Sequence, residues 1–154
     1  MAIGNVLRSR KIRQLDLPKF WVVDAKTSLA ETIEIMQKNG VGAVLVSDQQ
    51  RLSGIFTERD VIFTRRQKAE TSRPVRDFMT ANPATLHPDD SVFDAIQLMD
   101  GHHHRNVPLV EVNGDLVGTL PVSTLIDFLA ESFPQEVLAL PPRANQQFDS
   151  ADGA

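Results

Sequence analysis

A chain of 154 residues with 42% apolar side chains and a net charge of −4 can form one compact domain or two small halves sharing a core. That balance excludes a disordered chain, and it excludes a general nucleic-acid binder, which carries a basic face. The absence of cysteine rules out disulfides, thiolate catalysis and Cys-ligated zinc. No apolar run reaches the length of a bilayer span, and Asn5, Arg8 and Arg10 break any signal-peptide core, so a soluble, cytoplasmic protein is expected.

Residues 1–19 are of mixed polarity, carry Arg8, Arg10, Lys11 and Arg13, and end at Pro18. They read as a solvated N-terminal arm or short helix that packs on the domain or a partner, in preference to a polyanion contact. Phe20 to Val23 is predicted as a short strand. Asp24 to Ser28 is a turn in which Thr27 or Ser28 can cap a helix. Leu29, Ile33 and Met36 then recur at helical spacing opposite Glu31, Glu34, Gln37 and Lys38, and Asn39-Gly40 stops the helix. Gly42 to Val46 is a buried strand. Asp48-Gln49-Gln50 turns the chain into Leu52 to Phe56, and a helix runs from about Glu58 to Gln67.

The same order follows again. Ala84-Thr85-Leu86 is the short strand and His87 to Ser91 the turn. Val92, Ile96 and Met99 lie 63 residues after Leu29, Ile33 and Met36. Asn106 to Val112 is the buried strand, Asn113-Gly114 a hairpin signal and Leu116 to Leu120 the next strand. Val122, Leu125, Ile126 and Leu129 mark the closing helix. One extra residue in the second hairpin moves the offset to 64, which aligns Gly54 with Gly118. The chain is an internal duplication of a β-α-β-β-α unit, an α/β (α+β) fold. The expected organisation is an arm (1–19), repeat one (20–67), a linker (68–83), repeat two (84–131) and a C-terminal extension (132–154). Phe133 to Pro142 is apolar enough to pack, and the residues from Arg143 are polar.

The segment Gly54 to Asp60 stands out. Its apolar strand passes to a helix at Thr57, which sets a hydroxyl, a carboxylate and the unpaired N–H groups of a helix start together. Such a corner can hold an anion. A threonine followed three residues later by an acid is equally a capping pattern that serves only the helix.

The duplicated unit, the Gly-Ile-Phe-Thr-Glu-Arg-Asp corner and the linker Val75-x-Asp77-x-Met79-Thr80-x-x-Pro83 resemble a stand-alone tandem pair of CBS domains. The module is named after cystathionine β-synthase and also occurs in IMP dehydrogenase and the γ subunit of AMP-activated kinase. The resemblance covers about Leu15 to Ser132. It implies two repeats packed through their sheets about a pseudo-two-fold axis, with clefts that can take AMP, ADP, ATP or S-adenosylmethionine as regulatory ligands and no catalytic cofactor. It further implies that Thr57 approaches phosphate or ribose and that Asp60 accepts from both ribose hydroxyls, as an ionised carboxylate can. Arg105, aligned with Gly42, reaches phosphate from the other repeat through its planar fork. Ala84 and Thr85 form the adenine-side wall, and Gly42, Ile55, Phe56 and Pro108 complete the cleft. Arg59 and His104 are further candidates for the outer phosphates.

The second cleft departs from that pattern. Pro121 stands in the place of Thr57, Thr124 in that of Asp60, and Gly42 in that of Arg105, so one competent site is expected. His102-His103-His104 is read as a helix C-terminus, where imidazole complements the dipole, in preference to a metal site. The expected protein is not an enzyme. It is an adenine-nucleotide-sensing regulatory module, homodimeric through Val61, Ile62 and Phe63 and through Leu125, Phe128 and Leu129, that signals to an unidentified protein partner. The alternative is a protein–protein interaction module with vestigial clefts. A metal-dependent enzyme built on the histidines with Asp100 or Glu111 is the least favoured reading.

Overall fold

Helix boundaries fall where side chains can satisfy the exposed ends of the backbone. In the computed structural model, which describes residues 2–135, α2 (Leu29–Asn39) starts at Ser28, whose hydroxyl accepts from the Glu31 amide at 3.1 Å. It stops at Gly40, which takes the left-handed conformation (φ 62°) that a residue with a Cβ adopts only at a penalty. The counterpart α4 (Val92–His102) starts with a reciprocal capping box between Ser91 and Asp94. The closing helices are α3 (Glu58–Arg66) and α5 (Val122–Ser132), and a short α1 (Ile3–Ser9) precedes the first repeat.

The strands of repeat one are β1 (Val22–Asp24), β2 (Ala43–Asp48) and β3 (Arg51–Thr57), joined by β4 (Thr80–Ala81) from the linker in the order β1-β2-β3-β4. Repeat two contributes β5 (Asn106–Val110) and β6 (Leu116–Pro121), paired antiparallel. The alignment of Gly54 with Gly118 appears in the register, since Val46 faces Gly54 and Leu109 faces Gly118.

Two strands are shorter than the apolar pattern predicts. Phe20 and Trp21 lie outside β1. Ala84-Thr85-Leu86 reduces to one parallel bridge, Leu86 to Leu109, held by the Leu86 amide to Pro108 O at 3.1 Å and the Val110 amide to Leu86 O at 3.0 Å. Pro83 and Pro88 flank that segment and cannot donate to a ladder, which keeps it from extending. β5 ends at Val110, so Val112 is 94% exposed at the hairpin and not part of a buried strand.

The arm is tied into repeat two. Ile12 is fully buried and Leu15 nearly so, in a core with Val92, Ala95, Met99, Leu109, Leu120 and Phe128. Conversely Val75, from the linker, is fully buried in the core of repeat one beside Val23, Leu29, Val44 and Phe56. The backbone contacts match one for one. The Ile12 amide donates to Asp90 O (2.9 Å) as the Val75 amide donates to Thr27 O (2.7 Å), and the Val92 amide donates to Arg10 O as the Leu29 amide donates to Arg73 O, both at 2.8 Å. Each repeat therefore completes the other's core with the short 3-10 turn that precedes it, Ile12–Gln14 or Val75–Asp77.

Leu45 and Ile55 are buried but face away from α2 and α3 by strand alternation, and Pro108 and Thr119 hold the same positions in repeat two. No helix of their own repeat covers them, so their burial comes from packing one sheet on the other. The stretch from Glu136, including Val137 to Pro142, lies outside the described residues. Among the described residues no helix is long and apolar enough to cross a membrane.

Truncating Ile12 leaves a cavity in repeat two although the residue precedes repeat one. Ile12→Ala is expected to destabilise the whole chain by about 3 kcal/mol in urea unfolding, within the range for buried aliphatic truncations. A loss of under half a kcal/mol would mean that the arm is not part of that core.

The arm is also clamped from outside. Arg13 pairs with Asp89 and approaches Glu111 at 3.5 Å, while His87 Nε2 lies 3.0 Å from Glu111 Oε2. The hydrogen bond from Arg13 holds the Asp89 carboxyl below its ordinary range. A lowered folded-state value stabilises docking above the ordinary carboxylate range, and that contribution is lost as pH falls through the lowered value. In an NMR titration the Ile12 and Arg13 amide shifts should therefore follow protonation of Asp89 at the acid end.

Candidate functional site

The Gly54–Asp60 corner is positioned by a close approach of backbones. A Cβ on Gly54 would overlap the Met79 sulfur and come within 2.7 Å of Thr80 O, so only glycine lets β4 lie against β3 here. Gly54 pairs with Ala81 and Ile55 with Thr80, and the Asn82 amide donates to Ser53 O at 3.1 Å. Ala84 lies three residues beyond Ala81, at most about 11 Å of extended chain. The antiparallel pairing carries the chain from Ile55 back past Ser53 as it leaves for repeat two, so it does not by itself bring Ala84 and Thr85 to the Thr57 corner.

At the corner Thr57 is the N-cap of α3, with extended backbone. One carboxylate oxygen of Asp60, Oδ2, accepts both the Thr57 amide (2.9 Å) and the Thr57 hydroxyl (3.2 Å). The Asp60 side of the cap is therefore realised, and it uses one oxygen. Oδ1 takes part in neither bond, and both residues are half-buried. The Glu58 amide donates to Gly42 O at 3.0 Å, so Gly42 abuts the first turn, with the Glu58 carboxylate 3.4 to 3.7 Å from where a Gly42 Cβ would stand. The Val122 amide makes the same bond to Arg105 O (2.8 Å), which puts Arg105 at the position in repeat two that Gly42 holds in repeat one.

The other predicted residues divide by orientation. Phe56 is fully buried in the core of repeat one, so it can offer the cleft only its backbone. Ile55 and Pro108 are buried on the sheet faces that meet between the repeats. Arg59 and Arg105 are exposed, and among the described residues neither forms an ion pair. His102 ends α4, His103 is its left-handed cap (φ 55°) and His104 is half-buried, with the rings of His102 and His104 5.7 Å apart. Among the described residues no three histidines or carboxylates converge as metal ligands.

The second corner is built differently. α5 starts at Pro121, with no side-chain cap and no acid in its first turn. Proline has no N–H for a carboxylate to accept, which removes the demand that Asp60 meets at Thr57.

Comparison with known proteins now fits this architecture. The CBS domain family matches residues 12–65 and 75–131. The chain belongs to the CBS domain family. The CBS domain-containing protein YhcV of Bacillus subtilis is 33% identical over 104 residues, 67% of this chain and 74% of that protein. Among solved structures, the CBS domain protein of Pyrobaculum aerophilum complexed with AMP superposes with a TM-score of 0.71 at 23% identity, covering 79% of this chain and 98% of that one. The CBS domain pair of protein MJ0100, complexed with 5′-methylthioadenosine and S-adenosylmethionine, gives 0.72 at 20% identity, covering 79% and 97%. The two matched segments begin at Ile12 and Val75, the two residues that exchange between the cores.

The Asp60 cap can be tested without any ligand. Asp60→Ala removes the acceptor for two bonds and is expected to destabilise the chain by about 1 kcal/mol. Asp60→Asn keeps a carbonyl acceptor for the Thr57 amide and should recover most of that loss in urea unfolding.

Proposed function

We propose that this CBS pair is a regulatory module that binds an adenine nucleotide in the cleft between Thr57–Asp60 of repeat one and Arg105 of repeat two. It has no catalytic activity of its own and passes the bound state to a partner protein. The observation that carries this reading is the half-buried Asp60 carboxylate. Thr57 orients it through one oxygen, and the other oxygen is left to accept ribose hydroxyls. Exposed Arg105 and Arg59 are suited to phosphate, and half-buried His104 lies beside Arg105. The adenosine ligands bound by the Pyrobaculum protein and by MJ0100 support the ligand class.

A nucleotide held in this way touches both repeats, so its binding energy favours the relative orientation in which Asp60 and Arg105 both reach it. That orientation is the signal. The chain acts as a homodimer through those of its apolar helix residues that its own core leaves exposed. Leu125 and Phe128 are buried in the chain's own core and are withdrawn from the interface expected from sequence, whereas Ile62, Phe63 and Ile126 are 57 to 58% exposed.

Charge-assisted hydrogen bonds contribute roughly 1.5–3 kcal/mol each, so Asp60→Asn should weaken AMP binding by about tenfold to a hundredfold in calorimetry while leaving the cap largely intact. Arg105→Ala should weaken AMP but not adenosine. Unchanged AMP affinity in Asp60→Asn would sink the site assignment. If AMP, ADP, ATP and S-adenosylmethionine all fail to raise the melting temperature, the exposed helix faces favour a module that only binds proteins.

A further inference from the structure

The two repeats treat the outer side of their helices differently. In repeat two, Phe128 and Phe133 pack into the core together with Val6 and Leu7 of α1. The half-buried Phe93 ring lies under the Arg8 guanidinium at 4.2 Å, and the Phe128 ring under that of Arg10 at 5.3 Å. Repeat one has small residues at the same three positions. At an offset of 63 on the first helix and 64 on the closing helix, Phe93 corresponds to Ala30, Phe128 to Thr64 and Phe133 to Ala69.

Those three residues line an open groove of about 270 Å³ between α2 and the end of α3, together with Leu29 and Ile33. The Thr64 hydroxyl is committed to Val61 O at 2.8 Å, so the floor makes no polar demand. The charged residues of the lining are Arg65 and Lys68, both exposed, and one acid, Glu34. Residues 66–72, at the offset of α1, are the end of α3 and the turn after it, and they form one wall of the groove. The duplication thus shows what such a groove accepts, an aromatic ring with a guanidinium over its face.

Beyond Gln135 the chain carries a single aromatic residue, Phe148. Asp149 follows it directly and Asp152 lies four residues on, while the nearest cation, Arg143, is five residues before it. Phe148 lies 13 residues beyond Gln135, an extended reach of about 45 Å. A compact domain of this length is roughly 36 Å across, so the segment can cross from one repeat to the other.

We propose that Phe148 seats in the α2–α3 groove of its own chain, in the place that phenylalanines fill in repeat two, with Asp149 beside Arg65 and Lys68. Burial of the ring supplies the affinity. The charges lie on an exposed rim that Glu34 shares, so they set the register more than they add strength. The seat follows the rule that the other flanking segments obey. The arm precedes repeat one and packs on repeat two, the linker precedes repeat two and packs on repeat one, and the C-terminal segment leaves repeat two and returns to repeat one. It is independent of the nucleotide cleft.

The chain has no cysteine, so introduced thiols are unique. Gln37 is exposed on the groove wall, and Ser150 lies two residues beyond Phe148. With a short bis-maleimide, the full-length Gln37→Cys/Ser150→Cys variant should form a crosslink of monomer mass, read by mass spectrometry. Adding Phe148→Ala should slow that reaction by roughly tenfold or more, and so should Ala30→Phe, which fills the groove from an exposed helix position. Should Gln37→Cys fail to fold, Glu34→Cys supplies a thiol on the same groove. No monomeric crosslink in protein with a native unfolding curve overturns the proposal, as does a crosslink whose rate Phe148→Ala leaves unchanged. A crosslink found only in dimers assigns the groove to a second copy. One lost in Leu138→Ser/Leu140→Ser but kept in Phe148→Ala assigns it to the apolar stretch before Pro141. Either result also overturns the seat of Phe148.

Discussion

The structure depends on an exchange of two small apolar anchors. Ile12 precedes repeat one and fills repeat two, while Val75 precedes repeat two and fills repeat one. A core this small gains little from burial beyond the entropy lost in ordering it, so a missing isoleucine or valine is a large fraction of its stability. Neither repeat is complete without chain that belongs to the other. The exchange therefore couples the repeats in folding and fixes where the linker runs. Because the linker must reach Thr27 and Leu29 with Arg73 and Val75, its continuation is delivered to the edge of β3, where it becomes β4.

That delivery is what shapes the candidate site. β4 lies so close to β3 that Gly54 has no room for a Cβ, and the antiparallel pairing holds the linker against the strand that ends at Thr57. The matching position in repeat two is relaxed. A Cβ on Gly118 would meet only Leu109, at an ordinary 3.6 Å, and the residue that corresponds to Ala81 is Pro18, which has no N–H to give a strand. The two ends of the molecule differ in backbone pairing as well as in the loss of Thr57 and Asp60 equivalents. Both differences follow from prolines, at Pro18 and Pro121.

Much of this was legible in the sequence because it rested on periodicity. The apolar stripes of α2 and α4, a cap at Thr27 or Ser28 that proves to be Ser28, the Gly40 stop and the Gly54–Gly118 alignment all appear in the structure. The backward extent of the duplication was missed. Ile12-Arg13 and Val75-Arg76 lie at the same 63-residue offset as the helices, but a two-residue match in a basic arm is a weak pattern, and exchange between cores has no local signature. Strand lengths failed for a different reason. Apolar residues such as Trp21 and Leu86 can be partly buried by packing without joining a ladder, and flanking prolines decide whether they pair. For the candidate site, sequence supplied residue types but not orientation. It could not tell that Phe56 turns into the core while Asp60 keeps one oxygen clear of its own cap.

The double role of Asp60 bears on how a ligand could act. In the absence of ligand the carboxylate is already held by two bonds from Thr57, so little side-chain entropy remains to be lost when a third donor arrives. Any donor on Oδ1 then adds to a group whose geometry is fixed by the start of α3. A pull on Asp60 is a pull on that helix, which also exposes Ile62, Phe63, Arg65 and Arg66. The cap and the ligand contact are thus compatible uses of one carboxylate, and the helix that joins them gives the cleft a direct mechanical route to the outer surface. At the other end Pro121 starts α5 without any such carboxylate, so a ligand there could not act through the same lever. The asymmetry confines any such lever to the corner of repeat one, since α5 has no acid in its first turn.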